Sequence, residues 1–197
     1  MPSRIRLAPP TFLARAANCL MDGPLITAWT IRIALLALLA SLLLRMAEPW
    51  WSVSDATRRA VWTAGCLVFL AHIAAGMHFY HHWDHSLAYE ATAQQTCDTL
   101  GIPFGGGIYV NHLMAIVWVS DVLWWWLAPV SYGQRGPIWE QIIVGFFLFI
   151  AFNGLVVFKE GGLRIGGIMG FGVLVTTWLT LHFVNKPART LAETSDP

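Results

Sequence analysis

Apolar residues in this chain come in long unbroken runs rather than in alternation, and five of the runs are long enough to cross a bilayer. They cover residues 24–46, 60–80, 107–128, 138–158 and 163–184. A hydrocarbon core of about 30 Å takes about 20 helical residues at a rise of about 1.5 Å each. The strands of a membrane barrel would show short units of alternating polarity instead. Polar or helix-ending residues punctuate the runs: Glu48 and Pro49 after the first, Pro129 after the third, Lys186 and Pro187 after the fifth.

The pattern predicts an all-α integral membrane protein, a five-helix transmembrane bundle formed by residues 24–185. Residues 1–23 read as an N-terminal surface segment, mildly amphipathic over 10–22, and residues 186–197 as a polar, disordered tail. The first run is too long and too far from Met1 for a cleavable signal, and no small-residue cleavage site follows it, so it is expected to remain a span. No Gly or Pro falls between Met77 and Leu100. The second helix is therefore expected to extend beyond the membrane.

Composition sharpens the class. Of the 197 residues, 56% are hydrophobic and 12% charged, with eleven Trp and eleven Phe, and the net charge is +1. Soluble domains carry roughly 25% charged residues. With no basic run, the chain has neither the charge of a nucleic-acid binder nor the polarity of a disordered one. Three cysteines, Cys19, Cys66 and Cys97, form no CxxC and cannot all pair, which argues against a disulfide framework.

Five spans put the termini on opposite sides. Side B holds the N-terminus, the 81–106 connection and the 159–163 turn, and side A holds the 47–59 and 129–137 loops and the C-terminus. Arg45, Arg58, Arg59, Arg135, Lys186 and Arg189 fall on side A, against Arg4, Arg6, Arg15, Lys159 and Arg164 on side B. This small excess favours a cytoplasmic C-terminus. The 81–106 connection has no Lys or Arg, which suits a translocated loop. Trp50, Trp51, Trp62, Trp124, Trp125, Trp126 and Trp139 gather near side A as an interfacial aromatic belt.

The densest chemistry lies at the side B exit of the second run. On a continuous helix, His82, His85 and His81 fall at about +40°, −20° and −60° from His78, and Tyr89 at about +20°. Four imidazoles would then share one face, and pairs at i,i+3 or i,i+4 can hold one metal ion. Iron, copper and zinc all accept imidazole. One helix cannot complete a coordination sphere. The topology brings His112 about 8 Å below the side B surface, with Asn153, Glu160 and Arg32 able to converge there and Glu90 flanking the stripe. Haem is an alternative, with axial histidines from facing helices such as His78 or His82 and His112. Because imidazole titrates near pH 6.5, a proton-handling face is a further reading. His72 lies mid-span, off the stripe, and reads as a hydrogen-bonded interior histidine; His182 belongs to the side A end.

The spacing His78-x-x-His81-His82 resembles one histidine box of the membrane-bound fatty acid desaturase and hydroxylase superfamily. That family uses three such boxes around two irons. Neither His112 nor His182 belongs to a second box, so the resemblance stops at five residues and membership is not inferred.

Two other features stand inside the spans. Asp121 is an intramembrane carboxylate, which marks either a functional site or an ion pair that fixes packing. Arg32 is its natural candidate partner, although their depths differ by about 9 Å on straight helices. Gly162, Gly166 and Gly170 form a GxxxGxxxG stripe suited to close helix packing, within the chain or in a homo-oligomer or membrane complex. The triplet Gly105-Gly106-Gly107 lacks the Lys-Ser/Thr ending of a phosphate loop and reads as a tight re-entry into the membrane. No Ser-His-Asp or Cys-His arrangement is legible.

The leading expectation is a metal- or haem-binding membrane protein in a redox role. His78, His82, His85 and His112 would ligate, with His81 assisting and Glu90 or Glu160 completing the shell. The alternatives are a non-enzymatic accessory subunit using the glycine face, or a small transporter using Arg32, Asp121 and the histidines.

Overall fold

The computed structural model describes the backbone of residues 11–46 and 53–184, and the side chains of residues 23–45 and 53–180. Every regular element among them is helical: α1 (Thr11–Met46), α2 (Asp55–Phe79), α3 (His85–Leu100), α4 (Gly107–Leu127), α5 (Pro129–Gly133), α6 (Pro137–Phe152), a π-helical turn (Asn153–Val157) and α7 (Gly161–Val184). Five segments are long and apolar enough to cross a membrane: Gly23–Arg45, Asp55–Phe79, Gly107–Leu127, Pro137–Val157 and Gly161–Thr180. By length and composition, these five helices point to a multi-pass membrane protein. The first span is the inner part of a longer helix that runs unbroken through Pro24. Residues 1–10 and the expected tail, 186–197, lie outside the described residues.

Helix ends follow local chemistry. Ser54 caps α2 by accepting from the Thr57 amide at 3.1 Å, and Asp55 in the first turn pairs with Arg58 and Arg59 at 3.4 and 3.0 Å. At the other end the expected extension of α2 does not occur. The helix stops at Phe79, His82 and Trp83 take left-handed conformations with φ of 49° and 62°, and a new helix starts at His85. Asp84 supplies the physical reason. Its carboxylate accepts from the Ser86 and Leu87 amides and so caps α3, and a good N-cap starts a helix even where no Gly or Pro has ended the previous one.

Gly101, at φ 75°, closes α3 and turns the chain back toward α4. The re-entry is as tight as the glycine triplet implies, since a Cβ on Gly105 would fall 2.6 Å from the Tyr89 carbonyl oxygen.

The core lies between α1, α2, α4 and α6, with Leu38, Met114, Trp118 and Phe147 fully buried. Trp62, Trp118 and Phe147 meet pairwise with ring centroids 4.9–5.2 Å apart, and Phe69 approaches Trp118 at 5.7 Å. Each such pair contributes about 0.5–1.5 kcal/mol beyond the area it buries. This matters in a bilayer, where lipid tails remove most of the hydrophobic drive between helices and packing must hold them. Gly65 makes the approach possible: a Cβ there would lie 2.9 Å from the Trp118 ring and 3.0 Å from Ala37.

Candidate functional site

The break after Phe79 disperses the histidine face. His78 lies in the last turn of α2 with its ring edge-on to Phe79 at 4.8 Å, the His81 ring lies 6.4 Å from that of Tyr80, and His82 occupies the left-handed turn. Only His85, at the start of α3, meets another of the five expected ligands. Its ring centroid is 5.7 Å from that of His112 on α4 and 5.4 Å from that of Tyr109. Glu90 lines the same open recess as His85, together with Ser86, Tyr89 and Tyr109. Hydrogen bonds from Ser86 to the capping Asp84 hold that carboxyl below the usual aspartate range, so the α3 cap is anionic at neutral pH.

Asn153 is engaged elsewhere, donating to the Phe149 carbonyl at 2.8 Å. Glu160 stands exposed in the turn before α7. Among the described residues, no three or more His, Cys, Asp or Glu side chains gather as a metal-holding group. His72 is the interior histidine the sequence suggested, with Nδ1 3.0 Å from the Thr27 carbonyl and 3.5 Å from the Thr30 hydroxyl. The His182 side chain and Cys19 lie outside the described side chains.

Asp121 is not paired with Arg32. Its Oδ1 accepts from Arg135 at 3.0 Å, and its Oδ2 from the Trp62 indole at 2.8 Å and the Tyr132 hydroxyl at 3.0 Å. Arg135 continues to Glu140 at 3.4 Å; Arg45 donates to Glu140 at 2.9 Å and to Tyr132 at 3.0 Å. The five groups Asp121, Tyr132, Arg45, Glu140 and Arg135 therefore close a ring at side A, with two cations balancing two anions. It ties α1, α4, α5 and α6 together, and Trp62 joins it to α2.

Aromatic faces insulate this ring. Trp125 stacks on Tyr132 at 4.8 Å and 9°, Arg135 lies 3.9 Å over Tyr132, and Arg45 sits over Trp62 and Trp125. Burial raises the Tyr132 pKa, keeping its hydroxyl a neutral donor. Arg45, Tyr132, Arg135 and Glu140 went unread as partners because each, alone, looks like an interfacial residue. Their one sequence signal is clustering beside the two loops that flank the Asp121 end of α4.

Arg32 belongs to a different site. Apolar side chains of α1, α6, the π-helical turn and α7 line a half-open cleft of about 310 Å³ in which Arg32 is the only charged lining residue among those described. Its guanidinium lies 5.1 Å over the Trp29 ring. No salt bridge joins it to a described residue. Trp29 and Arg32 share the wall with Gly162 and Leu163, so Arg32 lies level with the first turn of α7. Deeper, Leu39, Leu148, Gly170 and Leu174 line the cleft.

The glycine stripe faces this space unevenly. A Cβ on Gly162 or Gly166 would meet nothing within 4 Å, whereas one on Gly170 would sit 3.6 Å from Leu39. The cleft therefore widens toward side B. Intramolecular close packing falls to Gly167, whose Cβ would strike Leu155 at 2.8 Å. No protein-family model, curated protein or solved structure matches this chain.

Proposed function

We propose that this is a non-enzymatic membrane component that takes a hydrocarbon chain from the bilayer into the cleft between α1 and α7. The observation that carries the reading is the cleft itself: a cavity of about 310 Å³ with almost wholly apolar walls, beside glycines whose missing side chains leave it open. Left unfilled, an open cleft of that size forfeits dispersion contacts, and in a bilayer the available filling is a lipid chain. Ligand sites are commonly concave and mostly apolar, with few polar groups. The closed ring at side A suits the same role, because it fixes α1 against α4 and α6 while the glycine side stays open.

Native mass spectrometry of detergent-purified protein tests the reading by counting retained lipid. Wild type should hold lipid that Gly166→Leu, with a side chain projecting into the cleft, does not. Equal retention by both would refute it, and so would a dimer that closes the cleft without lipid.

A second reading, a histidine metal site in a redox role, draws on the cross-helix pair His85–His112, with Glu90 in the adjoining recess. Elemental analysis beside His85→Ala/His112→Ala decides it: stoichiometric iron, copper or zinc in wild type alone supports that site, and metal-free wild type removes it.

A further inference from the structure

Resting on the cleft as a lipid site, we infer that its occupant is an anionic membrane lipid whose headgroup is held by Arg32 at the side B mouth. An arginine in a membrane span ordinarily finds an anion, a carbonyl or water, because an unpaired cation there costs several kcal/mol. Arg45, Arg58, Arg59 and Arg135 all have carboxylate partners. Arg32 has none among the described residues; its recorded partner is the face of Trp29. The absence of a protein anion at a cation that lines an apolar cleft leaves an anion to be supplied by whatever occupies the cleft.

The surroundings agree in sign. Gly162 and Leu163, in the first turn of α7, line the same mouth. A helix start carries partial positive charge and unpaired amides, and α7 has no acidic residue in its first turn to satisfy them. Lys159 and Arg164 flank that turn as exposed cations, against the single carboxylate of Glu160. The mouth thus has an excess of positive charge, while the rest of the cleft offers only hydrocarbon.

The direction of the cleft also fits a lipid. From Arg32 to Leu42 the α1 wall runs ten residues, about 15 Å, which is about half the hydrocarbon thickness. A chain anchored at Arg32 can thus lie along Leu35, Leu39 and Leu42 on the α1 wall. The cleft is wide at Gly162 and Gly166 and narrows at Gly170, where Leu39 closes on α7. The broad end coincides with the charge and the narrow end with pure hydrocarbon, the shape of a headgroup and its tail. A transmembrane helix would need near-constant width along the stripe.

Electron paramagnetic resonance on the full-length protein in phosphatidylcholine vesicles, with spin-labelled phosphatidylglycerol or phosphatidylcholine as probe, tests this. Wild type should favour phosphatidylglycerol by about tenfold at the bound site, the scale of one charge-assisted hydrogen bond. Arg32→Gln should bring the preference close to unity, and Arg32→Lys should keep most of it. Gly166→Leu should remove the immobilised component for both lipids. If Arg32→Gln keeps the wild-type preference, the headgroup assignment is wrong while the cleft reading stands. An unchanged bound signal for both lipids in Gly166→Leu would overturn the cleft and the headgroup assignment together. Helical circular dichroism checks that each variant is folded, and Arg32→Lys keeps the assignment testable if Arg32→Gln is not.

Discussion

Replacing Arg135 by Met should be the most destabilising change at side A. The substitution keeps much of the side chain's length and removes its charge. Asp121 and Arg135 expose 2% and 6% of their side chains, so the pair is almost fully withdrawn from solvent. Without the guanidinium, the Asp121 carboxylate keeps the Trp62 and Tyr132 donors but loses its only direct cation. Breaking a buried pair by removing one partner costs about 3–5 kcal/mol, most of it from the charge left behind. The Trp62 and Tyr132 donors remain, so we expect the low end of that range, about 3 kcal/mol, for Arg135→Met. Glu140 provides the internal contrast. It bonds the same arginine but is 46% exposed, so Glu140→Gln should cost under about 1 kcal/mol. The assay is reversible unfolding in mixed micelles, with Asp121→Asn and the double variant completing a cycle. Neutralising Asp121 in the Arg135→Met background removes the stranded charge, so the double variant should be at least about 1 kcal/mol more stable than the sum of the singles predicts. Strict additivity, or an Arg135→Met protein within about 0.5 kcal/mol of wild type, would refute the view that this pair acts as one buried unit.

Gly65→Ala should cost about 1–3 kcal/mol by overpacking against Trp118 and Ala37, whereas Gly166→Ala, facing open space, should be neutral or gain up to about 1 kcal/mol from helix propensity; the same unfolding assay ranks them, and the reverse order would sink the packing account. His82→Gly relieves a left-handed φ of 49° and should raise stability by about 0.5–1 kcal/mol, the relief of about 1–2 being partly offset by glycine's entropy; a loss instead would show that the imidazole makes a needed contact. The folded-state pKa of Asp84 lies below its unfolded value, so its contribution is complete above the unfolded pKa and is lost as pH falls through the folded one. Amide exchange across α3 should therefore accelerate, relative to the other helices, as pH drops below about 4. In Asp84→Asn, which still caps, that extra acid sensitivity should vanish, and its persistence would assign the effect to another group.

The spans were legible because length and unbroken hydrophobicity are enough to specify them, and the five structural segments match the five apolar runs to within a few residues. The failure at residues 80–84 has a definite source. Gly and Pro are the strongest punctuation in a sequence, but the chain turned here on two non-glycine residues with positive φ and an Asp cap. A histidine can enter the left-handed region more readily than most side chains; nothing in the residue string marks Trp83 as doing so. Once that break is placed, four imidazoles on one arc become four positions on three different elements. The angular argument for a shared ligand face depended entirely on one unbroken helix.

Asp121 shows why intramembrane charges are easier to notice than to pair. From the sequence, Arg32 is the natural candidate because it too lies within a span, although depths on straight helices differ by about 9 Å. The true partner arrives from outside a span, on the loop after α5, because the chain folds back at Pro129 and brings Tyr132 and Arg135 under the end of α4. That fold-back also separates the two arginines by task. Arg135 is enclosed by protein groups that satisfy it, and its site is electrically complete. Arg32 faces an apolar cleft and has no carboxylate partner among the described residues. The end of the bundle closed by its own ion pairs makes a rigid frame, and the end that lacks a counter-charge is where a ligand has something to add.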